Sequence, residues 1–533
     1  MADSRRLRLF FIASASAVLA ALTLWAGLSR ADDPGTTFDQ TFTASGETFL
    51  NLPDGVTAVD VVAIGAHGGS ASNVNSNPIV TATGGAGARV VGRLAGLTPA
   101  QTLYLEIGGN GANGGSGVNS TRAGGFNGGG DGQVGTAFPG FYNAGAGGGG
   151  ASDVRTSPRS DGLSPDTRLI VAGGGGGGGH QINSSTATGG NGGAGFSSGA
   201  AGASGSRGAA GGGGGGGGGS SSAGGAAGSA GTGAAGTAGV LGQGGDGGAP
   251  PNNDPAGGGG GGGGGLYGGG GARGGLGALS GGPSGGGGGG GGSSKLPPGG
   301  SVGVAPGLPN GSIEVSFTIP GTDIVSGPSG AVADTTPSFE FSSSEDATFQ
   351  CRIDSAAFAA CPASYTAPAL PEGPHTLHVG AVNSMGNFDP TPASLSFTVD
   401  TVAPKTTITS GPSGPTPDTT PTFTYSSEPG STFACGIDSG ALAACSASGF
   451  TAPQLALAPH TFSVRATDAA GNVELTPVTQ SFSVIPPSGT QGAGGKAKCK
   501  KKKHKKHKRA ATAKKHKKKH KKCKKKGKKK KKR

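Results

Sequence analysis

The chain has 533 residues, of which 118 are glycine, and its formal net charge at pH 7 is +13. That charge is segregated, because residues 496–533 carry 26 Lys and Arg and no acidic residue, whereas residues 32–495 carry 12 basic and 28 acidic residues. The composition therefore excludes a uniformly basic protein and indicates a basic arm on a body whose net charge is −16.

The N-terminus predicts export. Arginines at positions 5, 6 and 8 precede an apolar run over residues 9–28, and small residues follow at Ser29 and Ala31. This order is typical of a secretory signal peptide, here residues 1–31, with cleavage after Ala31. The run is also long enough to span a bilayer, so an uncleaved N-terminal membrane anchor is the alternative. Either way we expect an extracellular or envelope-associated protein after Sec-type export.

Residues 36–320 begin and end with strand-like sequence and are dominated by glycine in between. Segments 56–64, 88–94, 101–107 and 312–318 are rich in β-formers or alternate between apolar and polar residues. Glycine loses more backbone entropy on folding than any other residue, so one interpretation of the middle is a solvated linker. The other is a bundle of extended helices with three residues per turn, whose close approach only glycine permits.

Three segments favour an ordered use of glycine: GGFNGGG at 124–130, GGGGASDVR at 147–155 and RLIVAGGGGGGG at 168–179. A flexible spacer has no use for a polar strand-and-turn motif followed by an apolar burst. Together with LPDGVTAVDVVAIGAHGG at 52–69, they resemble the glycine-rich domain of the anaplastic-lymphoma-kinase and leukocyte-kinase receptor ectodomains and its bacterial relatives.

That resemblance covers about residues 36–320 and implies a β-sandwich like the tumour-necrosis-factor jelly roll, from which bundled polyglycine helices project. Residues 197–300 are less patterned, so an ordered bundle and partial disorder both stay open for them. The receptors' kinase and their cytokine ligand do not carry over, because this chain has no kinase region and no residue that matches the ligand surface.

Residues 323–485 form a tandem repeat. SGPSG at 326 recurs at 410 and DTTP at 334 recurs at 418, an offset of 84 that later becomes 85. Apolar residues alternate with period two, which predicts two antiparallel β-sandwich modules at 323–402 and 405–485. The TSGPSG…DTTPTF…ATDAAGN pattern of the second repeat resembles the bacterial immunoglobulin-like modules of exported actinobacterial proteins. The predicted fold class is therefore all-β, with a disordered basic tail.

Four cysteines are predicted to form structural disulfides, Cys351 with Cys361 and Cys435 with Cys445. The spacing is identical in the two repeats and suits a bond across a short hairpin in an oxidising compartment. A metal or reactive site would require CxxC spacing or nearby histidine.

Several other motifs favour structure over chemistry. His375 and His460 hold equivalent positions, but Ser463 stands where a second ligand to match His378 would be needed. DAAGN at 468–472 suggests calcium or a turn capped by its own Asp, and the turn is favoured because the first repeat reads NSMGN there. The G-x-S-x-G matches lie in glycine-serine sequence without triad partners. We therefore predict no enzyme activity, no cofactor and no metal.

After a linker at 486–495, the Lys/His-rich tail at 496–533 cannot bury a core, so we predict that it is disordered. It is predicted to bind an anionic envelope polymer or a membrane surface, and nucleic acid only non-specifically because it lacks aromatic residues. Its folding back on the acidic body is the alternative. Cys499 and Cys523 are left to pair with each other or with another chain. The residues assigned to polyanion binding are Lys500, Lys501, Lys502, Lys503, Lys524, Lys525, Lys526 and Arg533.

The sequence thus predicts a structural protein of the cell envelope, with a glycine-rich head, a two-module stalk and a polycationic tail. The first rival is an adhesin whose glycine-rich domain binds a protein or glycan ligand. An enzyme is the least favoured class, because no catalytic constellation is present.

Overall fold

The computed structural model describes residues 35–73, 80–116, 120–136, 142–165, 167–180, 189–204, 213–229, 233–250, 256–275, 285–307, 310–438 and 440–487. Within them the regular elements are β-strands and one 3-10 turn at Arg159–Asp161. The predicted all-β fold class is confirmed. The predicted signal peptide, most of the linker and the tail lie outside the described residues.

The glycine-rich part contains the first fourteen strands. They are β1 (Thr37–Phe42), β2 (Gly46–Asn51), β3 (Ala58–Ile64), β4 (Ala71–Asn73), β5 (Val80–Ala82), β6 (Ala88–Ala95), β7 (Thr102–Ile107), β8 (Gly114–Ser116), β9 (Val134–Thr136), β10 (Tyr142–Ala144), β11 (Ser152–Arg155), β12 (Arg168–Ala172), β13 (Ser301–Val304) and β14 (Ser312–Thr318).

Two sheets form a sandwich, one in the order β1-β14-β3-β6-β13 and the other in the order β12-β11-β7-β2. Alternating apolar residues of both sheets, such as Val61 and Leu105, are fully buried in the core between them, as the period-two pattern requires. A third, small sheet has the order β5-β4-β8-β10-β9. We call the sandwich and the glycine helices that rise from it the head.

The glycine runs form extended helices that bond to one another with a period of three residues. The helix at 171–180 is central, because its backbone N–H groups donate to three neighbouring segments and its carbonyls accept from three others, at 2.7–3.0 Å. The acceptor segments are 66–69, 190–193 and 258–264, and the donor segments are 85–88, 146–149 and 286–292. The backbone hydrogen bonds of this helix therefore point to neighbours on all sides, whereas those of a strand lie in the plane of its sheet. Described residues of 197–300 belong to the same bundle, since Gly263 donates to Gly290 and Gly199 to Gly219.

The tandem repeat supplies sixteen further strands. They are β15 (Thr322–Ser326), β16 (Gly330–Val332), β17 (Ser338–Ser343), β18 (Ala347–Ile353), β19 (Ala359–Cys361), β20 (Ser364–Thr366), β21 (Gly373–Asn383), β22 (Ala393–Val399), β23 (Thr407–Ser410), β24 (Pro415–Thr416), β25 (Thr422–Ser426), β26 (Thr432–Ile437), β27 (Ala443–Cys445), β28 (Phe450–Thr451), β29 (Pro459–Thr467) and β30 (Val478–Val484).

Each repeat is an immunoglobulin-like sandwich with the same topology. In the first, the sheet β15-β17-β20 packs on β16-β22-β21-β18-β19; in the second, β23-β25-β28 packs on β24-β30-β29-β26-β27. Phenylalanines dominate both cores, with Phe339 tilted against Phe397 and Phe423 stacked on Phe462. The repeats are therefore two copies of one module, here called the first and second module.

Candidate functional site

Both predicted disulfides are present, and each closes the hairpin at the edge of a module. The Cα atoms are 5.8 Å apart in Cys351–Cys361 and in Cys435–Cys445. In the first module the bond joins β18 to the edge strand β19, a short loop whose closure stabilises the folded state by about 3 kcal/mol. The role is structural. The eight assigned tail residues, Lys500 to Arg533, and Cys499 and Cys523 lie outside the described residues.

The GGGGASDVR segment builds a buried ionic cluster. Along β11 the side chains alternate, so Val154 enters the sandwich core while Asp153 and Arg155 lie on the opposite face, towards the glycine helices. Asp153 accepts hydrogen bonds from Arg155 at 2.8 and 3.1 Å and from Arg168 of β12. All three side chains are at most 1 % exposed.

The cluster also holds the glycine bundle to the sheet. Arg168 Nη1 donates to the carbonyl of Gly265 at 2.8 Å, and Arg155 Nη2 donates to Asn127 Oδ1 at 3.1 Å. Asn127 has φ of 64° and belongs to the GGFNGGG turn, and its Nδ2 donates to the carbonyl of Ala151 at 2.8 Å. The three glycine-rich segments singled out in the sequence therefore meet at one place.

Glu106 of β7 extends the cluster towards the surface. It lies opposite Asp153 in the sheet and is fully buried. Burial, a hydrogen bond with Glu47 and the charge of Asp153 raise its pKa to about 7, against the opposing effect of Arg155 and Arg159. No local motif points to Glu106 or Arg159, because each is brought to the cluster by long-range pairing; Asn127 lies in the recognised GGFNGGG segment, but nothing in that segment indicates that its side chain binds Arg155.

Residues 156–165, which follow β11, lie over this cluster, and two apolar side chains are exposed beside it. Arg159 bonds Glu47 through its backbone N–H at 2.6 Å and bonds Glu106 and Asn127 through its guanidinium, which also lies 4.7 Å from the centre of the Phe126 ring. Phe126 is 37 % exposed and Leu163, which covers Gly242, is 41 % exposed. The arrangement offers exposed apolar side chains beside the guanidinium of Arg159.

The two histidines singled out in the modules share one geometry. His375 Nδ1 lies 2.8 Å from Asp354 Oδ2 and its Nε2 lies 2.9 Å from the carbonyl of Pro371. His460 repeats this with Asp438 at 3.0 Å and Ala456 at 3.0 Å. Both ring nitrogens face acceptors, which only the doubly protonated imidazolium satisfies.

The same contacts raise the pKa values of both histidines. The hydrogen bond with the backbone carbonyl of Pro371, followed by the bond with Asp354, raises the pKa of His375. The corresponding bonds with Ala456 and Asp438 raise the pKa of His460. Asp354 and Asp438 sit at positive φ in the hairpin turns, so each pair fastens a disulfide-closed hairpin to the long strand beside it.

The DAAGN loop is a turn closed by its own side chains. Asp468 accepts from the backbone N–H of Asn472 at 2.8 Å and from its Nδ2 at 2.9 Å. The described part of the chain contains no cluster of three or more His, Cys, Asp or Glu that is arranged to bind a metal. Nor do the described residues include a helix long and apolar enough to cross a membrane.

Comparison with known proteins gives a limited result. No protein-family model matches the chain, and no curated protein matches it. Solved structures with weak similarity include the fibronectin(III)-like modules of Clostridium thermocellum CbhA, at 14 % identity over 31 % of this chain and 94 % of that chain, with a TM-score of 0.22. A chimeric titin Z1Z2-Z1Z2 tandem functionalised with a GRGDS peptide from fibronectin has 16 % identity over 32 % of this chain and 100 % of that chain, with a TM-score of 0.13.

A third structure is dimeric latent PorU from Porphyromonas gingivalis, at 15 % identity over 31 % of this chain and 20 % of that chain, with a TM-score of 0.12. Similarities this low carry no functional argument. The immunoglobulin-like β-sandwiches and their two disulfides are nevertheless compatible with an extracellular surface protein.

Proposed function

We propose that this chain is an exported structural protein of the cell envelope, with a glycine-rich head, an immunoglobulin-like stalk and a polycationic tail that contacts anionic envelope polymers. We further propose that the head is a relative of the glycine-rich domain of the anaplastic-lymphoma-kinase and leukocyte-kinase receptors. One observation supports the structural role above the others. The motifs of the glycine-rich segment form a buried ionic cluster and a close-packed bundle, and these features make the head rigid.

Export is tested by the location and the N-terminus of the natural protein. We expect an antibody against the second module to label intact, unpermeabilised cells, and mass spectrometry to find Asp32 as the first residue. Labelling only after permeabilisation would contradict export. Retention of Met1 in surface-labelled protein would instead support the uncleaved anchor.

A ligand-binding head is the second candidate, and the surface formed by Phe126, Arg159 and Leu163 favours it. An exposed phenylalanine ring beside an arginine is a combination of residue types that is enriched in protein interfaces. If the head is an adhesin, replacing Phe126 and Leu163 by serine will abolish binding of the mature protein to host or neighbouring cells. Val304→Ser is the matched control, because Val304 is 52 % exposed on β13, away from this loop.

A further inference from the structure

The two modules carry a five-residue loop at the same place, and both loops lie against the unit that precedes them. The loop is NSMGN at 383–387 in the first module and DAAGN at 468–472 in the second. Asn387 Nδ2 donates at 3.0 Å to the carbonyl of Thr318, the last residue of β14 in the head. Asn472 Nδ2 donates at 2.6 Å to the carbonyl of Asp400, which directly follows β22. The same amide thus bonds the end of the preceding unit's last strand at both junctions.

At the first junction, the contacts between the head and the first module are buried and hydrogen-bonded, as in the interior of a domain. Asn387 is fully buried, and its Oδ1 accepts from the backbone N–H groups of Thr57 and Ala58 in the head, each at 2.9 Å. Its Nδ2 also donates to the carbonyl of Ala58 at 3.1 Å. Met385 from the same loop packs against the hydrophobic core of the head. The first module therefore satisfies backbone groups that the head leaves open at the start of β3.

The second junction has the same arrangement, but fewer contacts hold the two units together. Asn383 donates to Thr318 of the head at 3.1 Å, but its counterpart Asp468 carries only acceptor oxygens and turns them to Asn472 in its own loop. Ala470 stands where Met385 enters the head core. Leu475, the counterpart of Pro390, is 91 % exposed, so this flank of the second module is open to solvent.

We propose that the head and the first module form one rigid unit locked by Asn387, and that the chain bends at residues 402–405 between the modules, because Thr401 bonds Glu372 of the first module and Thr406 bonds Glu474 of the second. A buried side chain with four hydrogen bonds across an interface is costly to separate, because separation leaves unpaired groups on both sides. The lighter second junction opens first. The head and the first module therefore move together when the head binds a partner, and the second module changes its orientation relative to them at a single hinge. This inference is independent of what the tail binds.

Distance distributions between spin labels test the proposal in the mature full-length protein. A genetically encoded spin-labelled amino acid, which avoids the cysteines, is placed at exposed Thr41 in the head, Ser355 in the first module and Ala447 in the second. The Glu340/Ser355 pair within the first module gives the width expected of a rigid body. We expect the Thr41/Ser355 distribution to be as narrow as this reference and the Ser355/Ala447 distribution to be clearly broader.

The distance distributions of the wild-type protein are sufficient to test the proposal. A broad Thr41/Ser355 distribution, or a Ser355/Ala447 distribution as narrow as the reference, overturns it. The variant Asn387→Ala should broaden only the Thr41/Ser355 distribution. Asn51→Ala is the matched control, because Asn51 bonds Thr102 on the exposed side of the head, and it should change neither distribution. If Asn387→Ala leaves Thr41/Ser355 narrow, Asn387 is not the lock.

Discussion

Arg168 and Asp153 form an ion pair in which neither side chain has any exposed surface. Their strands are neighbours in one sheet, yet the pair faces the glycine bundle and not the sandwich core. Two charges taken out of water in this way are tolerated only when they pair closely and accept or donate further hydrogen bonds. Here Asp153 also accepts from Arg155, and Arg168 also donates to the carbonyl of Gly265. The pair therefore makes the order of the glycine helices and that of the sandwich depend on each other.

Removing the shared carboxylate should strongly destabilise the head. In Asp153→Ala, the guanidiniums of Arg155 and Arg168 stay buried without their counter-charge, which costs about 3–5 kcal/mol of unfolding free energy. Asp60→Ala is the control, because Asp60 pairs with Arg93 at a half-exposed site and such pairs are worth less than about 1 kcal/mol. Chemical denaturation measures both. Equal losses in the two variants would show that the cluster does not hold the head together.

A methyl group inside the bundle should also destabilise the head. At Gly177 an added Cβ would lie 2.1 Å from the carbonyl oxygen of Ala146, a backbone atom that has no side chain to move aside. We expect Gly177→Ala to cost at least as much as core overpacking, about 1–3 kcal/mol, and to expose residues 171–180 to limited proteolysis. Gly303→Ala, with no atom near the added Cβ, should behave like wild type. A protease-resistant Gly177→Ala bundle would mean that the helices pack more loosely.

The histidine pairs predict that the modules lose stability as pH rises. The pKa values of His375 and His460 are raised above 6.5 by their carbonyl and carboxylate partners, so the folded state binds the proton more tightly than the unfolded state. Their contribution is complete below pH 6.5 and is lost as pH rises through the folded pKa.

Denaturation at pH 6 and pH 8.5, with NMR titration of the ring protons, checks this sign. The variants are compared in a Glu106→Gln background, because Glu106 of the head has a pKa of about 7 and also makes stability fall in this range. In that background the double variant His375→Gln and His460→Gln should abolish most of the pH dependence, whereas His378→Gln on the strand of His375 should retain it. Stability that increases between pH 6 and pH 8.5 would contradict the double-donor geometry.

Whether the sequence predicts a feature of this structure depends on how far apart in sequence the interacting residues lie. Period-two alternation at 312–318 coincides with β14, because alternation is a local signal. The repeat offset locates both disulfides, because the same cysteine spacing occurs in both repeats. Repetition also shows that His375 and His460 are equivalent, and they lie at corresponding places in β21 and β29. The sequence does not reveal that Asp354 is the partner of His375, because a single turn aspartate carries no periodic signal.

The ionic cluster shows where local signals end. The segments SDVR and RLIVA carry local signals of ordered structure. Glu106 lies 47 residues before Asp153, and in the sequence it is only a polar residue in an alternating strand pattern. The role of Asn387 was equally hidden. NSMGN differs from DAAGN at the positions that strengthen the first junction, and the comparison suggested only the loss of a calcium ligand.

The tail at 496–533 carries 26 positive charges in 38 residues, so electrostatic attraction is its main interaction and the proposed attachment to the envelope depends on it. Binding of such a segment to a polyanion releases counterions, so it weakens steeply as salt rises. At physiological ionic strength charges are screened beyond about 8 Å, so the tail must touch its partner. The decisive measurement is the distribution of the protein between envelope and medium, for the natural chain, a chain lacking 496–533 and a chain of full length with the tail's Lys and Arg replaced by Gln. We expect both altered chains in the medium and release of the natural chain by moderate salt. Retention of either altered chain on the envelope, or resistance of the natural chain to high salt, would contradict a tail-held surface protein.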